Sequence, residues 1–392
     1  MIAVAEAEKL IKEHQIVPAI RTIALENCLG HTLATEVRAD RDLPPYPRVA
    51  MDGIAIFYGG TLPDAFHIEH VHAAGDPPYT LRNPAACVEV MTGAVLPAGT
   101  NAVIPYEELT LAQGMARVHQ APRPNQHIHG QGADVKRGER LIPPGTLLTP
   151  TEVAVLAAVG YSEVPVYEIP TVAIVSTGNE LVEVDTLPGP HQIRMSNSYA
   201  VAAALAELKI ASKRYHLPDD LPMVRTRLLE ILNQHAIVIL SGGVSKGKFD
   251  LIPEALAKAG VKKQFHQIRQ KPGKPFWFGR STRNTVFALP GNPVSTFLCF
   301  HRYIRPWLQL CMGQSLPLPS AQLSAPVTFA PSLTYFLPVQ VTTAHGIAAA
   351  RPVPGGGSGD FVSLLRADGF LELPPDRSEF LAGEHFPLWR FR

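Results

Sequence analysis

Three short segments gather glycine, hydroxyl side chains and free backbone donors: Ser176-Thr177-Gly178-Asn179-Glu180, Ser241-Gly242-Gly243-Val244-Ser245 and Pro290-Gly291-Asn292-Pro293-Val294-Ser295. A phosphate needs such turns, because glycine lets the backbone come close and successive N–H groups form an anion nest. One alone reads as an ordinary strand–helix turn. Three in succession make an anion site as good a reading as three plain turns. Between the second and third lies Lys271-Pro272-Gly273-Lys274-Pro275, in which two lysines bracket a rigid Pro-Gly turn. Lysine serves phosphate or another oxyanion as a point charge.

The acidic candidates are Asp52, Asp134, Glu180, Asp219, Asp220 and Asp250, most of them beside glycine or proline turns. Carboxylates near a phosphate commonly hold Mg²⁺, which bridges carboxylate and phosphate oxygens. Taken singly, each reads as a surface charge or a helix cap; Asp220, before Leu221-Pro222, is such a cap, and Asp250 starts a helix. His67, His70 and His72 lie close together, as do His127 and His129. Alternate strand residues share a face, so His70 and His72 would be placed to chelate. No cysteine supports a metal there, and they read as loop and strand histidines. GxSxG is absent, and the segment GGGSGD at 355–360 reads as a flexible, anion-tolerant loop.

The elements that must position these turns are legible from 170 to 312. PTVAIVSTG, AIVILSGG and TVFALPGN are apolar strands running into glycine. NSYAVAAALAEL, DDLPMVRTRLLEILNQ and DLIPEALAKAG are helices between them, and KIASKRYHL is a strand. Alternating β and α with fully apolar strands predicts a parallel sheet covered on both faces. Ligands of such sheets sit at the carboxyl ends of the strands, where the three turns fall. Residues 1–30 read as helix ending near Gly30, 51–130 as a β-rich insertion, and 313–392 as a small β domain. Residues 1–50 with 131–169 form the remaining, extended part.

The chain has 392 residues, of which 46% are hydrophobic, enough for several buried cores. Its 37 prolines imply many stiff turns and argue against a helical bundle. A net charge of +1 gives no global case for nucleic acid or membrane binding. No apolar run approaches the ~18 residues needed to span a bilayer, and the start lacks the apolar segment of a signal peptide. Cys28, Cys87, Cys299 and Cys311 are too far apart for a disulfide framework, which fits a reduced, cytoplasmic protein.

Seven motifs occur in order: PPYPRVAMDGIAI, VMTGAVLPAGTNAVIPYEE, GADVKRGERLIPPGTLL, VAIVSTGNELVE, VILSGGVSKGKFD, KPGKPFWFG and ALPGNPVSTF. In this combination the chain resembles the molybdopterin molybdenumtransferase family, over essentially its whole length. The resemblance implies an elongated, four-part α/β plus β-rich architecture and a homodimer with its site between subunits. It implies an Mg²⁺-dependent reaction of adenylylated molybdopterin with molybdate, releasing AMP and the molybdenum cofactor. Asp52 matches the aspartate of the family's SAMDGYA motif, Thr92 the threonine of TGA, Asp134 the acid of the GEDI-like segment and Glu180 the glutamate of TGDEL. Asp219 matches the first acid of an Asp-Asp pair, and Asp250 the acid after GGVS. Lys271, Lys274, Pro290, Pro293, Ser295 and Ser358 match the KPGK lysines, the LPGNPVS turn and the serine of the Gly-Gln-Gly-Ser loop. The implied catalytic residues are Asp52, Thr92, Glu180 and Asp250, with Glu180 and Asp250 toward the metal. Asp134, Gly178, Asp219, Gly242, Gly243, Ser245, Lys271, Lys274, Pro290, Pro293, Ser295 and Ser358 are expected at substrate.

Some positions depart from the pattern. Val49 and Ile54 replace the serine and tyrosine of SAMDGY, Asn179 replaces an aspartate, Lys246 replaces a small apolar residue, and Gly356 the loop glutamine. Pro338 stands where the family carries an arginine that helps hold molybdate. Proline supplies no guanidinium, so the oxyanion is expected to rest on Lys271, Lys274 and donors near Ser295 and Ser358. Two other readings stand beside the transferase: a non-catalytic molybdopterin-binding carrier, favoured by Pro338, Asn179 and Val49, and an adenylyltransferase acting one step earlier.

Overall fold

A computed structural model describes residues 1–244, 251–314, 317–344 and 346–392. These residues form two compact units, one of Met1–Thr35, Pro144–Pro150 and Glu163–Arg392, the other of Glu36–Pro143 and Thr151–Ser162.

The first unit is built on a six-stranded sheet in the order Ser212–Leu217, Val172–Thr177, Ile237–Ser241, Thr285–Leu289, Trp277–Arg280, Lys262–His266. The first four strands are parallel; Trp277–Arg280 runs antiparallel to them, and the edge strand Lys262–His266 pairs antiparallel with it. Val172–Thr177 and Ile237–Ser241 are buried along their whole length. Alternate residues serve opposite faces. Ala173, Val175, Val238 and Leu240 pack with Leu228 and Leu256 of the helices Leu221–Gln234 and Ile252–Lys258. Val172, Ile174, Ile237 and Ile239 pack with Val201 and Leu298 of the helices Asn197–Glu207 and Pro293–Cys299. Each such aliphatic side chain contributes roughly 1.5–3 kcal/mol by leaving water. Asp220 caps its helix as its sequence context predicts, accepting from Met223 N at 2.8 Å, an interaction worth about 1 kcal/mol.

The chain goes from Val172–Thr177 outward to Ser212–Leu217, then crosses back to Ile237–Ser241 on the other side. That reversal opens a crevice at the carboxyl ends of the two strands. Ser176 pairs with Ser241, and Ser241 with Leu289. The three turns therefore leave the sheet at one level.

Five further strands close into a barrel. Thr334–Ala344 pairs with both Ile347–Pro352 and Gly369–Leu373. His385–Arg390 pairs with Gly369–Leu373 and with Ser320–Leu323, and Ser320–Leu323 returns to Ile347–Pro352. Leu323, Val339, Leu371, Phe380 and Leu388 fill its core. The short strand Gln270–Lys271 adds to the barrel strand in parallel, with Lys271 opposite Tyr335. Arg302, buried, donates to Glu8 at 2.7 Å and Glu372 at 2.9 Å, and so links the N-terminal helix, the α/β layer and the barrel.

One expectation fails. α-Helix covers only Val4–Lys12 of the first thirty residues, Ala19–Ala24 is a strand paired antiparallel with Glu163–Glu168, and a single 3-10 turn follows at Leu25–Asn27. Pro18 disfavours helix at Val17 and cannot donate a helical hydrogen bond.

The second unit holds a six-stranded sheet in the order Ala102–Pro105, Gly53–Ile56, Ala86–Val90, Phe66–His72, Met115–Val118, Leu109–Ala112. Its faces bury Val49, Val88 and Val103 on one side and Ile54, Phe66 and Ile104 on the other. Among the described residues no helix is long and apolar enough to cross a membrane.

Candidate functional site

Two clefts of about 490 and 510 Å³ adjoin at the carboxyl ends of the parallel strands and share Pro275, Pro290 and Asn292. The first is lined by all three turns: Thr177, Gly178 and Glu180, then Ser241, Gly242 and Gly243, then Pro290, Asn292 and Pro293, with Asp219 beside them. The glycines are there for steric reasons. At Gly178 (φ +138°) a Cβ would lie 2.4 Å from Glu180 Oε2, and at Gly242 (φ +98°) 2.7 Å from Thr177 Oγ1. Their absence of side chain lets a carboxylate and a hydroxyl close on the turn backbone. Thr177 Oγ1 is buried with no hydrogen-bond partner among the described residues. Among the described residues nothing pairs with the Glu180 carboxylate.

Asn179 and Asp219 hold each other. Asp219 N donates to Asn179 Oδ1 at 3.0 Å, and Asn179 N donates to an Asp219 carboxylate oxygen at 3.3 Å. The amide oxygen does here what an aspartate oxygen would do, so the departure from the family pattern leaves the turn's geometry intact.

The second cleft differs in charge. Lys271 and Lys274 are the only charged side chains among its described lining residues, which include Ser295, Tyr335, Pro338 and Ser358. Lys271 Nζ stands 5.6 Å from the ring centroid of Phe329, which stacks on Tyr335 at 4.3 Å. Burial pushes the Tyr335 phenol up, which keeps it a hydrogen-bond donor. Pro338 sits mid-strand with its carbonyl accepting from Val353 N at 2.9 Å. At the loop, Gly356 N donates to Asp360 at 2.8 Å. The hydrogen bonds from Gly356 and Ser363 hold the Asp360 carboxyl below its ordinary range.

Three expected residues belong to the second unit. Thr92 N donates to Asp52 Oδ1 at 2.6 Å, and the backbone and side-chain hydrogen bonds of Thr92 hold the Asp52 carboxyl below its ordinary range. Asp134 lies 2.9 Å from His129 Nε2, while His129 Nδ1 lies 3.2 Å from Arg48 Nη2. Arginine cannot accept, so Nδ1 accepts and the proton on Nε2 points to Asp134. Ser245, Lys246 and Asp250 lie outside the described residues. Among the described residues no group of three or more His, Cys, Asp or Glu is arranged to hold a metal. His70 stacks on Tyr79 at 4.1 Å, and His72 is buried.

Sequence reasoning missed the residues that brace the turns. Asn197 Nδ2 donates to Ser241 Oγ at 2.8 Å and to the Gly291 carbonyl at 2.7 Å, joining the second turn to the third. On the two edge strands, His216 Nε2 reaches the Gly178 carbonyl at 2.9 Å and His266 Nε2 the Val244 carbonyl at 2.8 Å. A polar residue at the first turn of the predicted helix was the one available signal for Asn197. For the histidines there was none.

A mostly parallel α/β sheet whose switch-point turns carry glycine and carboxylate, followed by a β-barrel, defines a multidomain α/β and β-barrel architecture with a ligand crevice at the strand ends. Residues 173–310 match the family described as a probable molybdopterin binding domain. Residues 2–160 match the MoeA N-terminal region (domain I and II), and 320–391 the MoeA C-terminal region (domain IV). The molybdopterin molybdenumtransferase of Synechocystis sp. is 36% identical over 99% of this chain and 100% of its own. That of Staphylococcus aureus (strain Mu50) is 30% identical over 97% of this chain and 94% of its own. The crystal structure of the molybdopterin biosynthesis MoeA protein from Pyrococcus horikoshii superposes with a TM-score of 0.86 at 27% identity, covering all of both chains. The chain belongs to the molybdopterin molybdenumtransferase family.

Proposed function

We propose that the chain works as a transferase of molybdenum cofactor biosynthesis that takes adenylylated molybdopterin and molybdate and yields AMP and the molybdenum cofactor. The observation that carries the reading is the charge division of two adjoining clefts. One presents glycine turns with Glu180, Asp219 and a single cation, Arg194; the other presents Lys271 and Lys274 as the only charged groups among its described lining residues. The pterin nucleotide, with its phosphates, suits the first, where glycine gives the backbone close approach. Molybdate, a compact dianion, suits the second, where ammonium groups attract it and the hydroxyls of Ser295, Ser358 and Tyr335 are available as donors. Full-length similarity to transferases supports the catalytic reading over a carrier, and the complete flanking regions support it over an adenylyltransferase.

The oxygen donors of the first cleft fit Mg²⁺. Glu180, unpaired among the described residues, and the partnerless Thr177 hydroxyl are hard oxygen ligands, and Mg²⁺ takes one or two carboxylates together with phosphate oxygens. Glu180 would hold the ion, with Asp250 as the second carboxylate. When bound, Mg²⁺ neutralises phosphate charge and makes AMP a better leaving group. The protein's own groups orient the nucleotide through the turns and keep the oxyanion beside it. In this reading the chain is a cytoplasmic homodimer, and Asp52, Thr92 and Asp134 serve the same reaction.

The test is incubation of the purified protein with adenylylated molybdopterin and Mg²⁺, with and without molybdate, following AMP. Molybdate-dependent AMP release is expected. Nucleotide binding without molybdate-dependent release would return the carrier reading.

A further inference from the structure

The loop that carries the two lysines has little to hold it from within. Pro272 and Pro275 lack N–H groups, so the loop's own backbone is short of donors for its carbonyls. The donor comes from the residue just before it. Gln270 is fully buried, and its Nε2 donates to the Pro272 carbonyl at 3.1 Å and the Gly273 carbonyl at 3.4 Å. Cys299 Sγ of the helix Pro293–Cys299 lies 3.7 Å from the same nitrogen.

The amide is not free to turn over. Tyr303 OH donates to Gln270 Oε1. Burial pushes the Tyr303 phenol well up, so it keeps its proton. With the oxygen fixed by Tyr303, the NH₂ group must face the loop. The fit is close: a Cβ at Gly273 (φ +89°) would lie 2.6 Å from Gln270 Nε2 and 2.8 Å from Cys299 Sγ. Gln270 also begins the short strand that joins the barrel, with Gln270 opposite Thr334 and Lys271 opposite Tyr335. The Lys274 carbonyl accepts from Ile268 N and Phe276 N at 2.9 Å, and the Gln270 side chain holds the turn between the two lysines, where they enter the second cleft.

We infer that Gln270, oriented by Tyr303, is a positioning residue that sets where Lys271 and Lys274 stand and hence how strongly the second cleft holds its oxyanion. The inference rests on the proposed reading of that cleft as the molybdate site. Gln270→Met keeps the volume and removes the donor. The Pro272 carbonyl then loses its donor and the Gly273 carbonyl keeps only Cys299 Sγ at 3.9 Å, and the loop relaxes away from the cleft.

The experiment uses the full chain and two readouts: the molybdate concentration giving half-maximal AMP release, and the dissociation constant of adenylylated molybdopterin. Gln270→Met should raise the first about tenfold and leave the second within about twofold. Tyr303→Phe should move the first in the same direction by about threefold. It is also the deciding variant if Gln270→Met does not fold. A folded Gln270→Met with unchanged molybdate response overturns the inference, and so does an equal loss in both readouts, which marks a general structural role. Lys271→Ala with Lys274→Ala separates the two levels. If that pair loses molybdate response while Gln270→Met does not, the positioning role alone falls. If neither changes it, the oxyanion reading of the cleft falls as well.

Discussion

The side-chain amide of Asn292 donates to Ser358 Oγ at 2.7 Å, and Val294 N donates to the Ser358 carbonyl at 3.0 Å. A turn of the α/β sheet and a glycine loop after the barrel strand Ile347–Pro352 are thereby fixed together where the two clefts meet. Asn292 lines both clefts, whereas Ser358 lines the lysine cleft.

Ser358→Ala should act on one half of the reaction. A lost hydrogen bond of about 1 kcal/mol raises the half-saturating molybdate concentration about fivefold. Nucleotide affinity, measured by equilibrium binding, should hold. A parallel loss of nucleotide affinity would place Ser358 in the fold and not at the oxyanion.

The glycine turns make a second, separable prediction. Gly178→Ala drives a Cβ to 2.4 Å from Glu180 Oε2, so the carboxylate must leave its place. The Mg²⁺ concentration for half-maximal AMP release should rise about tenfold. Gly243→Val puts a β-branched residue at φ +67°, with its Cβ 2.8 Å from Ile252 Cγ1. Nucleotide binding should be lost in a folded variant, as seen by titration calorimetry; retained affinity would count against this turn.

The turns were legible in the sequence because each is a run of adjacent residues that ends an apolar strand, and strand order then brings them to one level. The lysine pair was legible for the same reason. The bracing residues were not. Asn197 acts on Gly291, and His266 on Val244, through backbone carbonyls that have no side-chain signature and lie far away along the chain. Gln270 reads locally as one more polar residue before a turn; only the fold puts Tyr303 against its oxygen. The strand Ala19–Ala24 was misread because its partner Glu163–Glu168 is remote in sequence and its own apolar pattern is weak. The division into a cleft of mixed charge, with Glu180, Asp219 and Arg194, and a lysine cleft emerges only when both linings are seen together.

His301 supplies a pH prediction away from the chemistry. It lies among Phe297, Phe300 and Phe391, with neither ring nitrogen hydrogen-bonded among the described residues, and burial aided by Arg305 pushes it down to about 3 from an ordinary 6.5. Between those values the unfolded chain binds a proton and the folded chain does not. Stability should therefore fall as pH drops through that window, by about 1.4 kcal/mol per unit from this group. His301→Phe should flatten the slope of urea-unfolding midpoints between pH 6 and pH 4.5, a window set by that shift. An unchanged slope would mean the ring is protonated in the fold.

Arg302 tests how the first unit is held together. Burial pushes Glu8 up, but Arg302 and Lys12 bring it below its ordinary 4.5, so its contribution is present above that value and lost as pH falls through the lowered one. Arg302→Met leaves Glu372 without its cation and Glu8 with Lys12 alone. It should cost about 2–3 kcal/mol at neutral pH, less than the ~3–5 of a fully buried pair because Glu8 keeps some contact with water. Chemical denaturation at pH 7 and pH 4 would show the cost shrinking at the lower pH; a constant cost would point to lost packing alone.

The division of labour between the clefts is tested most directly by Lys271→Ala combined with Lys274→Ala. Nucleotide affinity and molybdate-dependent AMP release are measured on the same preparation. The account predicts affinity for adenylylated molybdopterin within about twofold of the parent and a molybdate response that is abolished, since each lost charged contact contributes roughly 1.5–3 kcal/mol. A normal molybdate titration in the double variant would contradict it, as would loss of the nucleotide together with the oxyanion.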